Sequence, residues 1–424
     1  MKKKVLIITL SFPYPLTHGG AIAQYYFLEG LRDQFDFSIC TIVNTQEELE
    51  SIERFKRDLP GVKVFYVNNI PVRPPVVKAS FKVRAARAVY GQYQKWKSRG
   101  QQVEKASSKA GMIHDDFLLP GMINISYVFP SAFVDLIHQV IETEGIEYVQ
   151  SELYESLSAL KALPEGVKKI FVHHELRYKR LETSQGSSSL SRGFTNYVIE
   201  NIRTFEINSL KSLDKVVVFN SKDQEELATH LDNVVLSPFG VPGSLIFKKA
   251  VSNKFDRFIF IGKEAHTPNA DGLFWFLDTI YVPSAGKIDF PIYIIGEWSE
   301  ATIAKYAACG KINFTGKVDV LDDYYENSIM LVPILAGSGL RTKILHAFAN
   351  KMPVFSTALG GEDLIGHAED HMELFASEAD FMQLYHEYCG HNEKITELAL
   401  KGYAYFEKRF DSSRLIGMRR EVYD

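Results

Sequence analysis

Cysteine is scarce in this sequence of 424 residues: there are three, Cys40, Cys309 and Cys389, and they lie far apart. An odd, widely spaced set of cysteines supplies neither a disulfide framework nor a four-cysteine zinc site. This excludes the small secreted domains that depend on disulfides, and it favours a reducing, cytoplasmic location.

Long uninterrupted apolar runs are also lacking. The run at residues 5–8 ends at Thr9, and it is shorter than the roughly 7 to 15 residues of a signal-peptide core. The uncharged stretch 117–134 contains two prolines and a glycine, which interrupt a membrane-spanning helix. We predict that the first run is a buried β-strand and that the second stretch is a buried loop or a broken helix.

Neither sign of charge dominates. The chain has 48 Lys and Arg against 52 Asp and Glu, which gives a formal net charge of −4. The molecule as a whole therefore has no attraction for nucleic acid, and we expect no nucleic-acid partner.

Three catalytic motifs are missing: the sequence has no Asp-x-Asp triplet, no Gly-x-Ser-x-Gly and no Walker A loop. A metal that bridges a diphosphate therefore has no evident carboxylate ligands, and the common hydrolase and NTPase interpretations are excluded. We expect no metal site.

Short apolar runs alternate with longer amphipathic segments along most of the chain. The runs lie at residues 5–10, 37–43, 62–67, 148–150, 169–172, 216–219 and 234–236, and then at 258–261, 292–295, 312–314, 330–332 and 354–356. Strand, helix and strand in this order predict right-handed βαβ units in parallel sheets.

A Pro/Gly-rich link at 237–243 separates the two series of runs. We predict an α/β fold with two Rossmann-like, doubly wound domains, residues 1–240 and 250–405, that face each other across a cleft. We expect residues 406–424 to form a C-terminal helix that packs back on the first domain. Ligands of open α/β sheets bind at the carboxyl ends of the strands, so the cleft is the predicted site.

The most informative segment is 330–357, in which a buried strand leads into the loop Gly337-Ser338-Gly339 and then into a predicted helix over about 340–350. Glycines let the backbone approach a ligand closely, Ser338 can cap the helix, and the free N–H groups at a helix start attract phosphate. These features predict an anion site. A solvated helix with a glycine-rich entry is the alternative.

Two cations, Arg341 and Lys343, fall in the first turn of this helix, where the helix dipole disfavours positive charge. An anionic ligand would remove that conflict. Ser338, Thr342 and His346 recur at a spacing of four residues and predict a polar stripe that faces the cleft. For His346 the alternative is a partly buried histidine satisfied by a neighbour.

Several stretches together resemble GT-B glycosyltransferases, in particular the retaining enzymes of glycosyltransferase family four. In the second half the matching stretches are 260–262, 266–272, 294–296, 314–318, 333–347 and 353–354; the looser matches in the first half are 13–15, 18–20, 171–175 and 237–241.

The resemblance implies roles for particular residues around the donor diphosphate. Gly262 and Lys263 match the glycine and basic residue that meet the diphosphate, and a lysine there supplies a point charge without bidentate geometry. Gly296 lies in a further matching stretch. Val318 falls at the position where the backbone of the family's members contacts the nucleotide base.

In the first half, Gly19 and Gly20 match the loop that closes over the phosphates and the acceptor. His174 falls near a histidine that lies beside the reacting sugar in the family. With Lys263, Arg341 and Lys343, His174 completes the catalytic set that the resemblance implies.

The sequence departs from the family at two positions. The paired glutamates of the family, spaced Glu-x7-Glu, fall on Ser338 and His346. The second glutamate typically binds the ribose of the donor, and a neutral histidine keeps one acceptor nitrogen for that role. Because an ordinary histidine loses this acceptor below about pH 6, we expect donor affinity to decline there.

The segment from Arg73 to Lys109 contains ten basic residues and one acidic residue, with aromatic residues interleaved. Such a segment is either a solvated face or a surface that lies on anionic lipid. The second interpretation predicts peripheral association with the inner face of a membrane.

The resemblance implies an enzyme that moves a sugar from a nucleotide-diphosphate donor to a glycan or lipid-linked acceptor, with retention and without a metal. The donor is a co-substrate, and no other cofactor is implied. Two alternatives remain open. One is a non-catalytic binding subunit of a glycan assembly complex, suggested by Ser338 and His346; the other is a GT-B-fold sugar-nucleotide epimerase.

Overall fold

The computed structural model describes residues 2–71, 125–183, 191–247, 250–318, 321–336, 340–365 and 371–424. The basic segment from Arg73 to Lys109 and the loop Gly337-Ser338-Gly339 lie outside these residues. What the sequence predicts for those two segments stays a prediction.

Seven parallel strands form the first sheet of the described chain, in the order β3-β2-β1-β4-β5-β6-β7. The strands are Lys3–Ile8 (β1), Phe35–Val43 (β2), Lys63–Asn68 (β3), Tyr148–Glu152 (β4), Lys168–His173 (β5), Lys215–Val218 (β6) and Val234–Leu236 (β7). The helices are Gly19–Leu31 (α1), Gln46–Asp58 (α2), Ser131–Glu144 (α3), Arg177–Thr183 (α4), Arg192–Leu210 (α5) and Ser221–Ala228 (α6), with a 3₁₀ helix at Tyr154–Ala162. The central strands are almost wholly buried, as expected of a parallel sheet with helices on both faces.

The second sheet has the order β10-β9-β8-β11-β12-β13. Its strands are Arg257–Ile261 (β8), Ile292–Ile295 (β9), Ile312–Gly316 (β10), Ser328–Val332 (β11), Val354–Ser356 (β12) and Glu373–Leu374 (β13). The helices are Thr267–Phe276 (α7), which continues as a π-helix over Leu277–Tyr281, Glu300–Tyr306 (α8), Asp322–Tyr325 (α9), Thr342–Ala349 (α10), Glu362–Ile365 (α11), Glu378–Tyr388 (α12), Asn392–Arg409 (α13) and Ser412–Arg420 (α14), followed by a 3₁₀ turn at Glu421–Tyr423.

The predicted α/β fold with two parallel sheets is confirmed, and every predicted apolar run overlaps a strand. Strand β13 was not predicted, because its two residues carry no apolar run. The prediction of a buried loop within 117–134 is wrong for Val128, which is 94% exposed; this stretch leads into α3, which begins at Ser131. Among the described helices, none is long and apolar enough to cross a membrane.

We call the first sheet with its helices the N-terminal domain, and the second sheet with α7 to α13 the C-terminal domain. One apolar core continues from one domain into the other. It includes Tyr26 and Phe27 of α1, Phe239 of the link, and Ile344 and Leu345 of α10. Burial of this interface holds the two domains together.

The chain returns to the N-terminal domain after α13. Helix α13 packs on α10, whereas α14 packs on α1. Gly30 of α1 allows this approach, because an added Cβ would lie 2.2 Å from Cδ1 of Ile416. The return therefore takes place over residues 412–423 and not from residue 406, since α13 extends to Arg409.

Gly272 tests how tightly the C-terminal domain is packed. An added Cβ at this position in α7 would lie 2.2 Å from the carbonyl oxygen of Pro333. In a solvent-exposed helix interior, replacing glycine by alanine stabilises the helix by about 1 kcal/mol. Here we expect Gly272→Ala to lower the free energy of unfolding by roughly 1–3 kcal/mol, because backbone must shift. Chemical denaturation measures the difference.

Gly193→Ala is the matched control, because nothing lies within 4 Å of an added Cβ at this position in α5. It should be neutral or stabilising. Equal losses in the two variants would contradict the close packing at Gly272.

Candidate functional site

The N-terminal ends of α1 and α10 meet between the two domains. An added Cβ at Gly19 would lie 3.1 Å from Cγ2 of Thr342, and one at Gly20 would lie 3.6 Å from Nδ1 of His174. Glycine at the start of α1 thus permits a close approach to both elements. Because α1 follows β1 and His174 follows β5, the contact lies at the carboxyl ends of the strands, where the cleft was predicted.

His18 caps α1: its Nδ1 accepts a hydrogen bond from the backbone N–H of Ala21 at 3.2 Å. Its Nε2 lies 3.2 Å from Oγ of Ser11. Burial, and then the positive charge of Lys263, lowers the pKa of His18 to about 4. His18 is therefore neutral at physiological pH, and residues of both domains face it across the cleft.

His174 stands at the end of β5 with its side chain 10% exposed. Its Nε2 donates to Oε2 of Glu152 at 2.6 Å, and its ring packs edge-on against Phe219 at 5.0 Å. Since an ionised carboxylate only accepts hydrogen bonds, the bonded Nε2 carries a proton. The other ring nitrogen, Nδ1, lies on the side of Gly20.

The glycines after β8 and β9 are required by the protein itself. An added Cβ at Gly262 would lie 2.6 Å from Nδ2 of Asn269, and one at Gly296 would lie 2.3 Å from the carbonyl oxygen of Gly262. Gly296 also has a φ of +134°, which disfavours other residues. The Trp298 indole donates to the same carbonyl oxygen at 2.9 Å. These contacts pack the carboxyl ends of β8 and β9 against each other.

Two lysines face the cleft from the C-terminal domain. Lys263 is exposed and makes no ion pair within the described residues. Lys343 donates through Nζ to Oδ1 of Asn269 at 3.0 Å, and Nζ lies 4.7 Å from the ring centre of Phe260. Burial, and then the positive charge of Arg341, lowers the pKa of Lys343 to about 7. The amino group has a neutral amide and an aromatic ring beside it instead of a carboxylate.

Helix α10 begins later than predicted. It starts at Thr342, and its N-cap Arg341 makes no side-chain cap. Arg341, and not Ser338, is therefore the N-cap residue, and Ser338 lies outside the described residues. Among the described residues, the backbone N–H groups of Thr342 and Lys343 make no hydrogen bond, whereas that of Ile344 donates to the carbonyl oxygen of Arg341 at 3.0 Å. The anion-site hypothesis needs such unbonded N–H groups at the helix start.

The prediction that His346 lies on a wet face of α10 is also wrong. His346 is 7% exposed, and burial lowers its pKa to about 4. Its Nε2 has no hydrogen-bond partner among the described residues. The expectation of a neighbour that satisfies the ring is thus not met at this nitrogen, and the imidazole is neutral at physiological pH.

The structure shows contacts among some of the predicted site residues. Gly19, Gly20 and His174 meet in the N-terminal domain, where Gly19 also contacts the start of α10. Val318 follows β10 and is half-buried. Gly337, Ser338 and Gly339 lie outside the described residues.

Sequence reasoning singled out neither Glu152 nor Asn269. Glu152 ends β4, whose sequence Tyr-Val-Gln-Ser-Glu places polar side chains at every second position of a buried strand. That alternation was the available signal, because buried polar groups on a parallel strand require partners. Asn269 lay within a matching stretch, but only the fold shows its bond to Lys343.

Residues 256–387 match the family model for glycosyl transferases group 1. A Klebsiella pneumoniae protein described as an uncharacterized 44.6 kDa protein in cps region is 21% identical over 427 aligned residues, which cover 97% of each chain.

Two solved structures are similar over nearly the whole chain. Sucrose-phosphate synthase from Thermosynechococcus elongatus has a TM-score of 0.67 at 13% identity and covers 100% of this chain and 98% of its own. HepE from Anabaena, solved in complex with UDP and glucose, has a TM-score of 0.61 at 12% identity and covers 99% of each chain. At these identities the likeness shows the fold alone, which is that of two Rossmann-like domains in the GT-B arrangement.

Lys343 also predicts how stability depends on pH. Its pKa is about 7 in the folded chain and close to 10.5 when unfolded. The unfolded state therefore binds the proton more readily, which destabilises the fold most at and below pH 7 and progressively less up to pH 10.5. We expect Lys343→Met to raise the melting temperature relative to wild type more at pH 6.5 than at pH 9.5.

Lys263→Met is the control, since Lys263 is exposed. Its effect on the melting temperature should change little between the two pH values. A pH-independent difference for Lys343→Met would show that the amino group is not held in an unfavourable site.

Proposed function

We propose that the chain is a glycosyltransferase that transfers a sugar from a nucleotide-diphosphate donor to a glycan or lipid-linked acceptor, because residues 256–387 match the family model for glycosyl transferases group 1 within a GT-B fold. The observation that carries this proposal is the pair Lys263 and Lys343. Within the described residues neither lysine has a carboxylate partner. A diphosphate would supply the missing negative charge.

The electrostatics of the cleft support a mechanism in which the departing diphosphate is stabilised. Lys263 lies between β8 and α7, and Arg341 and Lys343 lie at the start of α10; we propose that these cations, with the first N–H groups of α10, meet the diphosphate. Negative charge on the diphosphate grows as the bond to the sugar breaks, so fixed cations and dipoles lower the barrier. We propose that these groups take the place of a metal ion, and that transfer proceeds with retention, as the family resemblance implies.

The N-terminal domain would hold the sugar and the acceptor. His174 presents Nδ1 on the side of Gly20, and a lone pair there can accept a hydrogen bond from a hydroxyl. Gly19 and Gly20 keep side chains out of this space. Domain closure would exclude water and suppress hydrolysis of the donor.

The HepE complex contains UDP and glucose, which makes UDP-glucose the first donor to test. His346 supports a ribose contact, because its buried Nε2 has no partner among the described residues and a neutral ring can accept from a hydroxyl. The Klebsiella pneumoniae relative in a cps region supports a role in polysaccharide biosynthesis. A membrane-facing role for the segment from Arg73 to Lys109, on the cytoplasmic side, is part of the same proposal.

A donor panel tests the function. The protein is incubated with UDP-glucose, UDP-N-acetylglucosamine and GDP-mannose, with and without a bacterial lipid extract. Release of nucleoside diphosphate that depends on the extract indicates transfer, whereas an isomerised donor indicates an epimerase. Donor binding without either reaction indicates the binding subunit that Ser338 and His346 suggest.

We expect transfer, and we expect its rate to remain within about twofold when EDTA is added. Complete loss of activity that Mg²⁺ restores would contradict the metal-free mechanism.

Substitution of His346 tests the donor pocket. If its ring accepts from the ribose, His346→Ala leaves a buried hydroxyl without a partner at a cost of roughly 1–3 kcal/mol, or about ten- to a hundredfold in donor affinity. His346→Glu should preserve the affinity, since a carboxylate also accepts. Calorimetric titration with UDP measures both.

The pH dependence of UDP binding should follow the buried ring. Protonation removes the acceptor, and the pKa of His346 is about 4. Affinity due to His346 should therefore persist through pH 6, the point expected of an ordinary histidine, and fall as the pH approaches 4. Loss near pH 6, or unchanged affinity in His346→Ala, would remove His346 from the donor pocket.

A further inference from the structure

A buried chain of hydrogen bonds connects the C-terminal segment, residues 412–423, to the cleft histidine. The Tyr423 hydroxyl donates to Oε1 of Gln150 at 2.5 Å, and Nε2 of Gln150 donates to Oε1 of Glu152 at 2.5 Å. The other oxygen of Glu152 accepts from Nε2 of His174 at 2.6 Å. Each of these side chains is thus hydrogen-bonded to the next, and the last of them, His174, lies in the cleft.

We propose that Tyr423 and Arg419 are positioning residues for His174: they orient Glu152 and balance its charge, so that His174 keeps Nδ1 free for the sugar or the acceptor. The positioning itself is a property of the protein alone. Its effect on turnover rests on the function proposed above.

Strand β4 explains why this chain of bonds can form. Side chains two residues apart point to the same face of a strand, so Tyr148, Gln150 and Glu152 share one face. Gln150 and Glu152 are each 2% exposed. Neither polar group can turn to water, so their orientation depends on the protein groups that meet that face.

The direction of the hydrogen bonds follows from which groups can only donate or only accept. Burial raises the pKa of Tyr423 to about 12, so its hydroxyl remains protonated and can donate. Gln150 accepts through its oxygen and donates through its nitrogen. Both oxygens of Glu152 then accept, which is consistent with an ionised carboxylate and places a proton on Nε2 of His174.

Arg419 supplies the compensating cation. It is 1% exposed, and its Nε donates to Oγ of Ser237 at 3.0 Å. Its guanidinium lies 3.8 Å from the ring centre of Phe27 and 5.9 Å from that of Phe219. Burial lowers the pKa of Arg419 below its ordinary value, and Tyr423 and the negative charge of Glu152 oppose this shift. A buried carboxylate needs such a charge within reach.

Phe219 joins the two parts of this arrangement. Its ring packs edge-on against His174 at 5.0 Å, and its centre lies 5.9 Å from the guanidinium carbon of Arg419. His174 is thus positioned by a hydrogen bond on one side and by a ring on another, and both depend on the C-terminal segment.

The C-terminal segment is itself held firmly. The Tyr423 ring contacts Phe35 at 4.9 Å and Tyr148 at 5.8 Å, and Lys3 donates to the Tyr423 carbonyl at 2.7 Å. Helix α13, immediately before this segment, packs on α10. One continuous stretch of chain therefore packs against the helix that carries Lys343 and supports His174.

Tyr423→Phe tests the first step of the chain. It removes one oxygen and leaves the ring packing in place, so the fold should survive. We expect ¹⁵N NMR at pH 8 to show that the Nε2–H tautomer, dominant for His174 in wild type, loses population to Nδ1–H in the variant. Glu152→Gln should shift the same signals further. An unchanged tautomer population in Tyr423→Phe would overturn the proposal.

Tyr281→Phe is the matched control, because it too removes a buried tyrosine hydroxyl. The Tyr281 hydroxyl donates to the backbone carbonyl of Phe290 at 2.7 Å. Tyr281 lies in the core of the C-terminal domain. The His174 signals should be unaffected there. An equal change in both variants would mean that the effect of Tyr423→Phe is general destabilisation, and would overturn the proposal.

Kinetics with UDP-glucose, or with whichever donor of the panel is turned over, separate positioning from binding. We expect Tyr423→Phe to lower kcat about five- to tenfold and to leave the donor KM within twofold, since the diphosphate groups are untouched. A rise in KM at constant kcat would contradict this. If wild type turns over no donor, the proposed function fails, whereas the NMR comparison still decides the positioning.

Arg419 is tested by charge. Arg419→Lys retains a cation and should keep the wild-type tautomer of His174, whereas Arg419→Gln should shift it towards Nδ1–H. The same shift in both variants would show that the cation does not act on Glu152.

Discussion

The cleft depends on two lysines, Lys263 and Lys343, that have no carboxylate partner in the part of the chain that the structure describes. Lys343 has an amide oxygen from Asn269 and the face of Phe260 beside it, and burial lowers its pKa to about 7. Such a site is unfavourable for an amino group until an anion arrives. A diphosphate would restore the charged form, and the cost of holding the amino group there appears as a stability that depends on pH. Binding and stability are therefore linked through one side chain.

The glycines of the cleft have more than one reason to be there. Gly262 and Gly296 are required because the carboxyl ends of β8 and β9 pack against each other and against Asn269. Gly19 allows α1 to approach Thr342 across the domain boundary. Glycines of this kind are usually taken to make space for a ligand. Here they also make space for the protein's own backbone, and they lie beside the lysines that a ligand would meet.

The polar groups of the N-terminal domain form a second, separate arrangement. Gln150 and Glu152 lie on a buried face of β4, and burying a carboxylate is unfavourable without hydrogen bonds and a compensating charge. Tyr423 and Arg419 supply both from the end of the described chain. The return of the chain to the first domain therefore has a chemical role beside the packing of α14 on α1.

The sequence alone determined the two parallel sheets, because apolar runs at strand length and amphipathic segments between them are local patterns that each carry their own signal. The family resemblance of short motifs singled out His174 and Lys263, and both follow the carboxyl ends of parallel strands, β5 and β8.

Only the tertiary structure decided the environment of each side chain. His346 is buried instead of lying on a wet face, in a fold where α10 packs against both α13 and α1, which are far apart in the chain. Helix α10 starts at Thr342 and not at residue 340, as glycine and serine in the preceding loop did not indicate which residue would be the N-cap. The chain of bonds from Tyr423 to His174 joins residues as many as 273 positions apart. No local pattern contains such a contact, because it exists only after the strands and the C-terminal segment have packed together.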